Sequence, residues 1–266
     1  MSILEATPGL LEALRGEMTP KFLATQDVEG VPNVVPCVSM QPADDQPDTV
    51  FFGNFLLRKS IRNLERDARV GILVITPDLK GWVLRGDFVE FQSTGAYFDR
   101  QMGSTLLRYN SYTGIRNAGI IRVRSVERGF VIPRLQVALD YVRARLASAF
   151  SRTEGGEGVL VPWPVRQEFG RMVAVKVLAW IGDDGYPAVA PALSLQPAGE
   201  RSLLAWWGVY THPAPPAGAT VATCILTFEA ISYQAKGRWV PGKRTGAILV
   251  SEVYAGGPPL PGGRIA

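Results

Sequence analysis

The chain of 266 residues has one histidine, His212, and two cysteines, Cys37 and Cys224. A single imidazole is too few for zinc sites built on several histidines, for a His-Glu-x-x-His peptidase, or for Glu-x-x-His di-iron chemistry. His212 lies in Thr211-His-Pro-Ala-Pro-Pro216, a loop composition, and reads as a surface residue of that loop. Two cysteines without Cys-x-x-Cys spacing build no disulfide framework. One pairing between them stays open, but two buried free thiols are the expectation for a cytosolic chain. No apolar run approaches the ~20 residues that span a bilayer. The opening MSILEATPGLLEALRGEM places two glutamates before its first arginine and has no long apolar core, so it does not read as a signal peptide. A cytoplasmic protein with no membrane partner is therefore expected. Basic residues outnumber acidic ones by a formal +4 but form no Lys/Arg block, so no nucleic-acid partner is expected. They are dispersed, as at Arg58, Lys59, Arg62, Arg66 and Arg69, and either a solvated surface or a local site for a small anion accounts for them.

What the sequence does contain is a repeat. Residues 21–43, KFLATQDVEGVPNVVPCVSMQPA, recur as residues 176–198, KVLAWIGDDGYPAVAPALSLQPA, at a constant separation of 155 (176 − 21). Lys21, Gly30, Pro32, Pro36, Ser39 and Gln41 thus match Lys176, Gly185, Pro187, Pro191, Ser194 and Gln196. ARVGILVIT from Ala68 recurs as ATVATCILT from Ala219, and Gly81–Gly86 as Ser232–Gly237, now at a separation of 151 (219 − 68). Order and spacing are both kept, so the chain reads as a tandem duplication.

Each repeat reads as antiparallel β-structure. Strands are expected over residues 21–26 and 32–41, joined by the turn Asp27-Val-Glu-Gly30, and then over 49–53, 69–76, 81–93 and 118–133. Leu57, Ile61 and Leu64 share a helical face between the third and fourth strands. Residues 134–150 place Leu135, Leu139, Val142, Leu146 and Phe150 on one helical stripe, expected to pack and to bridge the halves. Near the start, Thr7 reads as a helix cap with Pro8 at the first position. The expected domains are 1–152 and 159–254, with the linker Thr153–Gly158 between them and an extended or disordered Pro/Gly tail over 255–266. The class is mainly β, with small barrels and few helices.

The unusual local chemistry lies in Val50–Asn63. A strand ends at Gly53, and a helix opens near Leu57 with Arg58, Lys59 and Ser60 in its first turn. Cations are disfavoured there because a helix N-terminus already carries positive potential. An anion, such as a phosphate, at that spot would explain them; so would two side chains simply turned to water. Asn63 reads as a helix-surface or capping partner.

Taken together, Phe22-Leu-Ala-Thr25, Gly30-x-Pro32-Asn33, Phe52-Gly-Asn54 with Arg58-Lys59-Ser60, Ala68-Arg69-Val70, Arg85-Gly86 and Ile120–Glu127 resemble the pyridoxamine 5′-phosphate oxidase-like FMN-binding split barrels. The resemblance implies two split barrels in tandem, forming an intramolecular pseudo-dimer with non-covalent FMN in the groove between them. It implies that Arg58 and Lys59, with Ser60, hold the FMN phosphate. Phe52, Gly53 and Asn54 would border the phosphate and ribityl chain, and the second strand, with Pro36, Val38 and Ser39, would lie along the flavin ring.

In the second repeat the matching stretch is Trp206-Trp-Gly-Val-Tyr-Thr-His-Pro-Ala-Pro-Pro216. Its prolines exclude a regular helix, and no lysine or arginine lies between Arg201 and Lys236. That half is expected to have lost the anchor and to serve as the partner wall of one site. Trp206 and Trp207 read as core or interface aromatics before flavin-covering ones. Cys37-Val-Ser-Met-Gln41 lacks the Arg and Lys that true pyridoxamine phosphate oxidases carry, so vitamin B6 is not the expected substrate. Two functional readings stay open: an FMN-dependent oxidoreductase acting on a small-molecule substrate or electron donor, and a non-catalytic flavin or haem carrier with His212 as the axial ligand. A deazaflavin in place of FMN and a further homodimer also stay open.

Overall fold

The computed structural model describes residues 2–55, 57–104, 114–127, 129–150, 158–207, 213–256 and 262–266. His212 and the linker residues 153–157 lie outside them. The first repeat supplies β1 (Lys21–Gln26), β2 (Pro32–Pro36), β3 (Gln41–Pro42), β4 (Thr49–Gly53), β5 (Arg69–Ile75), β6 (Lys80–Gln92), β7 (Ala118–Val126) and β8 (Phe130–Val131). The second supplies β9 (Val175–Ile181), β10 (Pro187–Pro191), β11 (Gln196–Pro197), β12 (Ser202–Trp206), β13 (Thr220–Leu226), β14 (Ser232–Pro241) and β15 (Thr245–Ala255). Helices among the described residues are α1 (Ile3–Ala6), α2 (Leu10–Arg15), α3 (Arg58–Leu64), α4 (Ala96–Met102), α5 (Arg134–Phe150) and α6 (Trp163–Phe169).

The two sheets are built alike. One runs β2-β1-β5-β6-β7-β4-β3, with β8 beside β6; the other runs β10-β9-β13-β14-β15-β12-β11. Each is a curled antiparallel half-barrel, the tandem split-barrel architecture expected of the duplication. The repeat extends to register: Phe22 pairs with Pro36 in one hairpin and Val177 with Pro191 in the other. It extends also to irregularity. A register shift falls at Arg85/Gly86 in one sheet and at Lys236/Gly237 in the other. A side chain on Gly86 would meet the Arg122 carbonyl, and one on Gly237 the Leu249 carbonyl, so the bulge admits only glycine without a backbone shift.

Each sheet wraps its own core, Leu10, Leu14, Phe52 and Trp82 in the first half and Phe169, Trp180, Trp239 and Ile248 in the second. A third buried cluster joins the halves: Phe22, Val34, Leu73 and Val83 from one, Val177, Val189, Leu193 and Cys224 from the other. The approach there is close enough that a Cβ on Gly71 of β5 would collide with the carbonyl oxygen of Pro187 on β10. Polar groups cross the seam as well. Gln234 Nε2 donates to Asn33 Oδ1 at 2.9 Å and to the Val34 carbonyl at 2.8 Å, all within buried surroundings.

Four local expectations need correction. The run 32–41 is not one strand: it breaks after Pro36 into a turn, where the Met40 N–H bonds the Cys37 carbonyl, and resumes as β3. The run 118–133 likewise divides into β7 and β8. Thr7 is no N-cap: it closes α1 as its C-cap, with its hydroxyl donating back to the Ile3 carbonyl at 2.8 Å, while Ser2 caps the start of α1 through a capping box and Gly9, at φ +75°, precedes α2. The largest departure is α5. The helix forms as expected, but Leu135, Leu139, Val142, Leu146 and Phe150 face outward, with Phe150 83% exposed, while Asp140 and Ala144 are buried. Ala144 is small enough to let the helix lie against Leu204 and Ala198 of the second sheet. Asp140 is buried with its Oδ1 accepting from Gln136 and Arg143 of the same helix at 2.8 and 3.1 Å, while its Oδ2 has no hydrogen-bond partner among the described residues. Past Ala255, the chain end returns to β15, where the Val253 N–H bonds the Ala266 carbonyl at 2.7 Å.

The repeat also places two lysines in equivalent buried positions with different outcomes. Lys21 Nζ donates to the Gly16 and Val38 carbonyls at 2.7 and 3.1 Å. Lys176 Nζ has no hydrogen-bond partner, and burial brings its pKa down to about 7. Folding therefore expels a proton from Lys176 between pH 7 and 10.5, so this group's penalty is fully present below pH 7 and fades as pH rises toward 10.5. Lys176→Met removes an unpaired buried amine at similar volume and is expected to raise stability at pH 7 by about 1–3 kcal/mol. Urea unfolding at pH 7 and pH 10 checks it: the gain should shrink at the higher pH, and Lys21→Met should lose stability instead.

Candidate functional site

A cleft of about 610 Å³ opens along the seam. Its first wall is β2 and the turn after it, from Asn33 to Ser39, with Gly53 and the start of α3. Its second wall comes from the other repeat: Cys224 and Leu226 of β13, Phe228 in the following turn, Gln234 of β14 and Tyr254 of β15. The size and the mix of apolar walls with a few polar groups suit a cofactor-sized molecule.

Seven of the residues singled out in the sequence, Pro36, Val38, Ser39, Gly53, Arg58, Lys59 and Ser60, line this cleft. Phe52 and Asn54 do not. Phe52 alternates to the opposite face of β4 and is fully buried in the first core, while the Asn54 backbone N–H bonds the Asn117 carbonyl at 3.0 Å. Helix α3 opens at Leu57 without a side-chain cap and without an acid in its first turn. Arg58 is exposed and has no ion-pair partner among the described residues. Lys59 Nζ sits 2.8 Å from the centre of the Tyr254 ring, a contact that joins the halves. Burial, and then the nearby Lys236 charge, bring the Lys59 pKa down to about 7 against the opposing pull of Glu252. Ser60 is fully buried; its oxygen accepts from Asn33 Nδ2 at 3.0 Å, which leaves the hydroxyl hydrogen free to donate. Asn63 Nδ2 donates to Thr25 Oγ1 at 3.0 Å and fastens α3 to β1.

Ser39 has a structural duty. Its Oγ accepts the Gly53 N–H at 3.1 Å, and Ser194 in the second repeat accepts the Trp206 N–H at 3.0 Å in the same manner. The Ser39 backbone carbonyl also accepts from Gln101 at 2.9 Å. A Cβ on Gly53 would lie 2.5 Å from the Phe55 ring and 2.9 Å from Gln101 Oε1, so a larger residue here would displace those side chains. Cys37 and Cys224 are free, as expected, and one from each half lines the cleft. Burial pushes both thiols up to about 12, so they stay protonated and unreactive at neutral pH.

Trp206 and Trp207 stand outside the cleft wall. Trp207 packs edge-on to Trp239, with centroids 5.6 Å apart, and Trp206 lies against the α5 contact with Arg143 5.7 Å away. Among the described residues the pseudo-symmetric position on the other flank is filled: Ile132, Phe130 and Val137 join Leu193, the counterpart of Val38, in the inter-half cluster, while residues 208–212, the counterpart of the α3 start, lie outside the described residues. A Cβ on Gly81 would strike the Phe130 ring. The second-half wall leaves little trace in the sequence because Leu226 and Tyr254 are ordinary strand residues and Phe228 an ordinary turn residue. The one available signal was Gln234, a polar residue where the repeat places Val83. Among the described residues, no group of three His, Cys, Asp or Glu side chains is placed to hold a metal ion.

No family model and no curated protein matches the sequence. Solved structures do. An FMN-binding protein from Syntrophomonas wolfei aligns at 18% identity over 50% of this chain and 88% of its own, with a TM-score of 0.40. HupZ from Group A Streptococcus aligns at 23% identity over 45% of this chain and 90% of its own, with a TM-score of 0.38. A candidate pyridoxamine 5′-phosphate oxidase from Lactobacillus delbrueckii aligns at 17% identity over 46% of this chain and 92% of its own, with a TM-score of 0.35. No helix among the described residues is long and apolar enough to cross a membrane.

Proposed function

We propose that the cleft binds one flavin mononucleotide and that the protein is a flavin-dependent oxidoreductase acting on a small molecule. The observation that carries this reading is the donor set at the head of α3. Arg58 without a counterion, Lys59 and the Ser60 hydroxyl share one end of the cleft, and no carboxylate lies in the first turn to neutralise them. That set suits a phosphate monoester, with Arg58 and Lys59 as charge-assisted donors and Ser60 as a neutral one. Beyond that end, Val34, Pro36 and Val38 opposite Leu226 and Phe228 offer apolar surface that suits a planar ring, with Asn33, Ser39, Ser232 and Gln234 as neutral polar groups and Glu229 paired with Arg171. When bound, the isoalloxazine would supply the hydride or electron chemistry. The chain's own contribution would be to hold the phosphate, orient the ring and exclude water from its two walls. No side chain in the cleft needs to act as an acid or base.

Lys59 gives the reading a pH signature. With a pKa brought down to about 7 before binding, Lys59 must be protonated to grip a phosphate, so FMN binding takes up a proton. Affinity is expected to be highest at pH 6 and to weaken as pH rises above 7, until the bound-state pKa is passed. Fluorescence titration of FMN from pH 6 to 9 checks it. Lys59→Arg should flatten the profile, because the guanidinium does not titrate in that range. A wild-type profile that is flat, or that rises with pH, contradicts the assignment of Lys59.

A further inference from the structure

The two flanks of the seam treat their cations differently. On the filled flank they are paired. Arg85 reaches Asp184 across the seam and Glu127 on its own sheet, Arg69 is held by Asp67 at 2.6 Å, and Arg124 by Asp87 at 2.5 Å. The repeat carries Arg85 to Lys236, at the same β-bulge in the second sheet. Lys236 is 7% exposed, yet among the described residues its Nζ has neither an ion-pair nor a hydrogen-bond partner. Arg62, one turn along α3 from Lys59, has none either.

The acids nearby are already engaged. On the ladder Lys236 pairs with Glu252, and Gln234, two residues earlier on β14, pairs with Tyr254, whose ring carries Lys59 Nζ; Lys236, Glu252, Arg62 and Arg264 all act on the Lys59 charge. Glu252 accepts the Tyr254 hydroxyl and faces Arg264 at 3.8 Å, while Asp27 accepts the Glu29 and Val31 N–H groups of its own turn. Lys236 is thus held near Lys59 and Arg62 with no ion pair or hydrogen bond of its own among the described residues, a charge that an anion at this rim would pair. Lys59 borders the cleft, but Lys236 and Arg62 are not in its wall, so they stand beyond the volume a flavin would fill.

We propose that the rim between α3 and β14 is a second anion subsite, formed by Lys236 and Arg62 beside Lys59, and that the ligand accepted alongside the flavin carries a phosphate or carboxylate group. The proposal rests on the flavin reading for the identity of the first ligand. The subsite itself rests on Lys236 and Arg62, which the flavin reading does not use; Lys59 borders both.

Calorimetric titration tests it on the full chain, with and without saturating FMN. Inorganic pyrophosphate serves as the phosphate probe and citrate as the carboxylate probe. The FMN-loaded chain is expected to bind at least one of them, and the stronger of the two identifies the anionic group. Lys236→Gln and, independently, Arg62→Gln on the exposed helix surface are each expected to weaken that binding ten-fold or more while changing FMN affinity less than two-fold. Absence of anion binding by the FMN-loaded chain, or binding unchanged in both variants, overturns the subsite and leaves the flavin reading standing. A ten-fold loss of FMN affinity in Lys236→Gln also overturns it, because the lysine then serves the flavin phosphate. If the chain binds no FMN but its anion binding still depends on Lys236 and Arg62, the flavin reading fails and the subsite stands.

Discussion

The Arg58→Ala/Lys59→Ala double variant is expected to bind FMN about 10²- to 10⁴-fold more weakly than the wild type while unfolding at nearly the same temperature. A charge-assisted hydrogen bond contributes about 1.5–3 kcal/mol, and each factor of ten corresponds to about 1.4 kcal/mol. The range is the sum of two such losses, and because the side chains are neighbours at one proposed phosphate, any coupling between them moves the result within or toward the low end of it. Stability should barely change, because neither side chain is part of a core. Arg58 is exposed, and Lys59 is held against Tyr254 at the expense of its own hydration. Equilibrium titration of FMN against the refolded variant, beside a thermal melt, separates the two effects. Retention of wild-type affinity would remove these residues from the site.

The second large effect concerns the seam. A glycine replaced by alanine at an ordinary strand conformation normally gains about 0.4–1 kcal/mol, because the unfolded chain loses freedom. Gly71→Ala is expected to reverse that sign and to lose about 2–3 kcal/mol. Its new methyl would meet the Pro187 carbonyl of the opposite sheet, a backbone atom that cannot swing aside. At this chain length that loss corresponds to a Tm lower by roughly 4–12 °C. FMN affinity should fall with it, since β2 and β13 form facing walls of the cleft and both belong to the wedged interface. Gly103→Ala provides the control, because a Cβ there meets nothing nearer than 3.6 Å. A Gly71→Ala protein as stable as the wild type would mean that the two sheets do not approach in this way.

The architecture was legible because a duplicated sequence carries its own register. Residues 155 apart, such as Pro36 and Pro191, occupy equivalent ladder positions, and the Arg-Gly and Lys-Gly pairs 151 apart mark equivalent bulges. The first wall of the cleft was legible for a similar reason: Arg58, Lys59 and Ser60 are unusual residues for the start of a helix, and unusual chemistry leaves a local trace. The second wall left almost none. Tyr254 and Phe228 become part of a site only through how two sheets meet, and that information is spread over the packing of Phe22, Val34, Val177 and Val189. The family resemblance places Phe52 beside the site, but strand alternation sends it to the other face.

Helix α5 shows the converse error. Its apolar stripe has helical spacing and was read as the packing face, whereas the helix lies on Ala144 and a buried Asp140. Periodicity reports where apolar residues sit but does not report which face is narrow enough to approach a sheet. Ala144 and Ala147 allow that approach, and a carboxylate bonded at one oxygen within its own helix carries no signature in sequence.

The claim on which the rest depends is that the duplication left one anchored site and one filled groove. It is tested most directly by counting flavin: the protein is saturated with FMN, freed of excess, denatured, and the released flavin is measured against chain concentration. A single FMN per chain is the expected result, abolished in Arg58→Ala/Lys59→Ala. Two per chain, or none, would contradict the account.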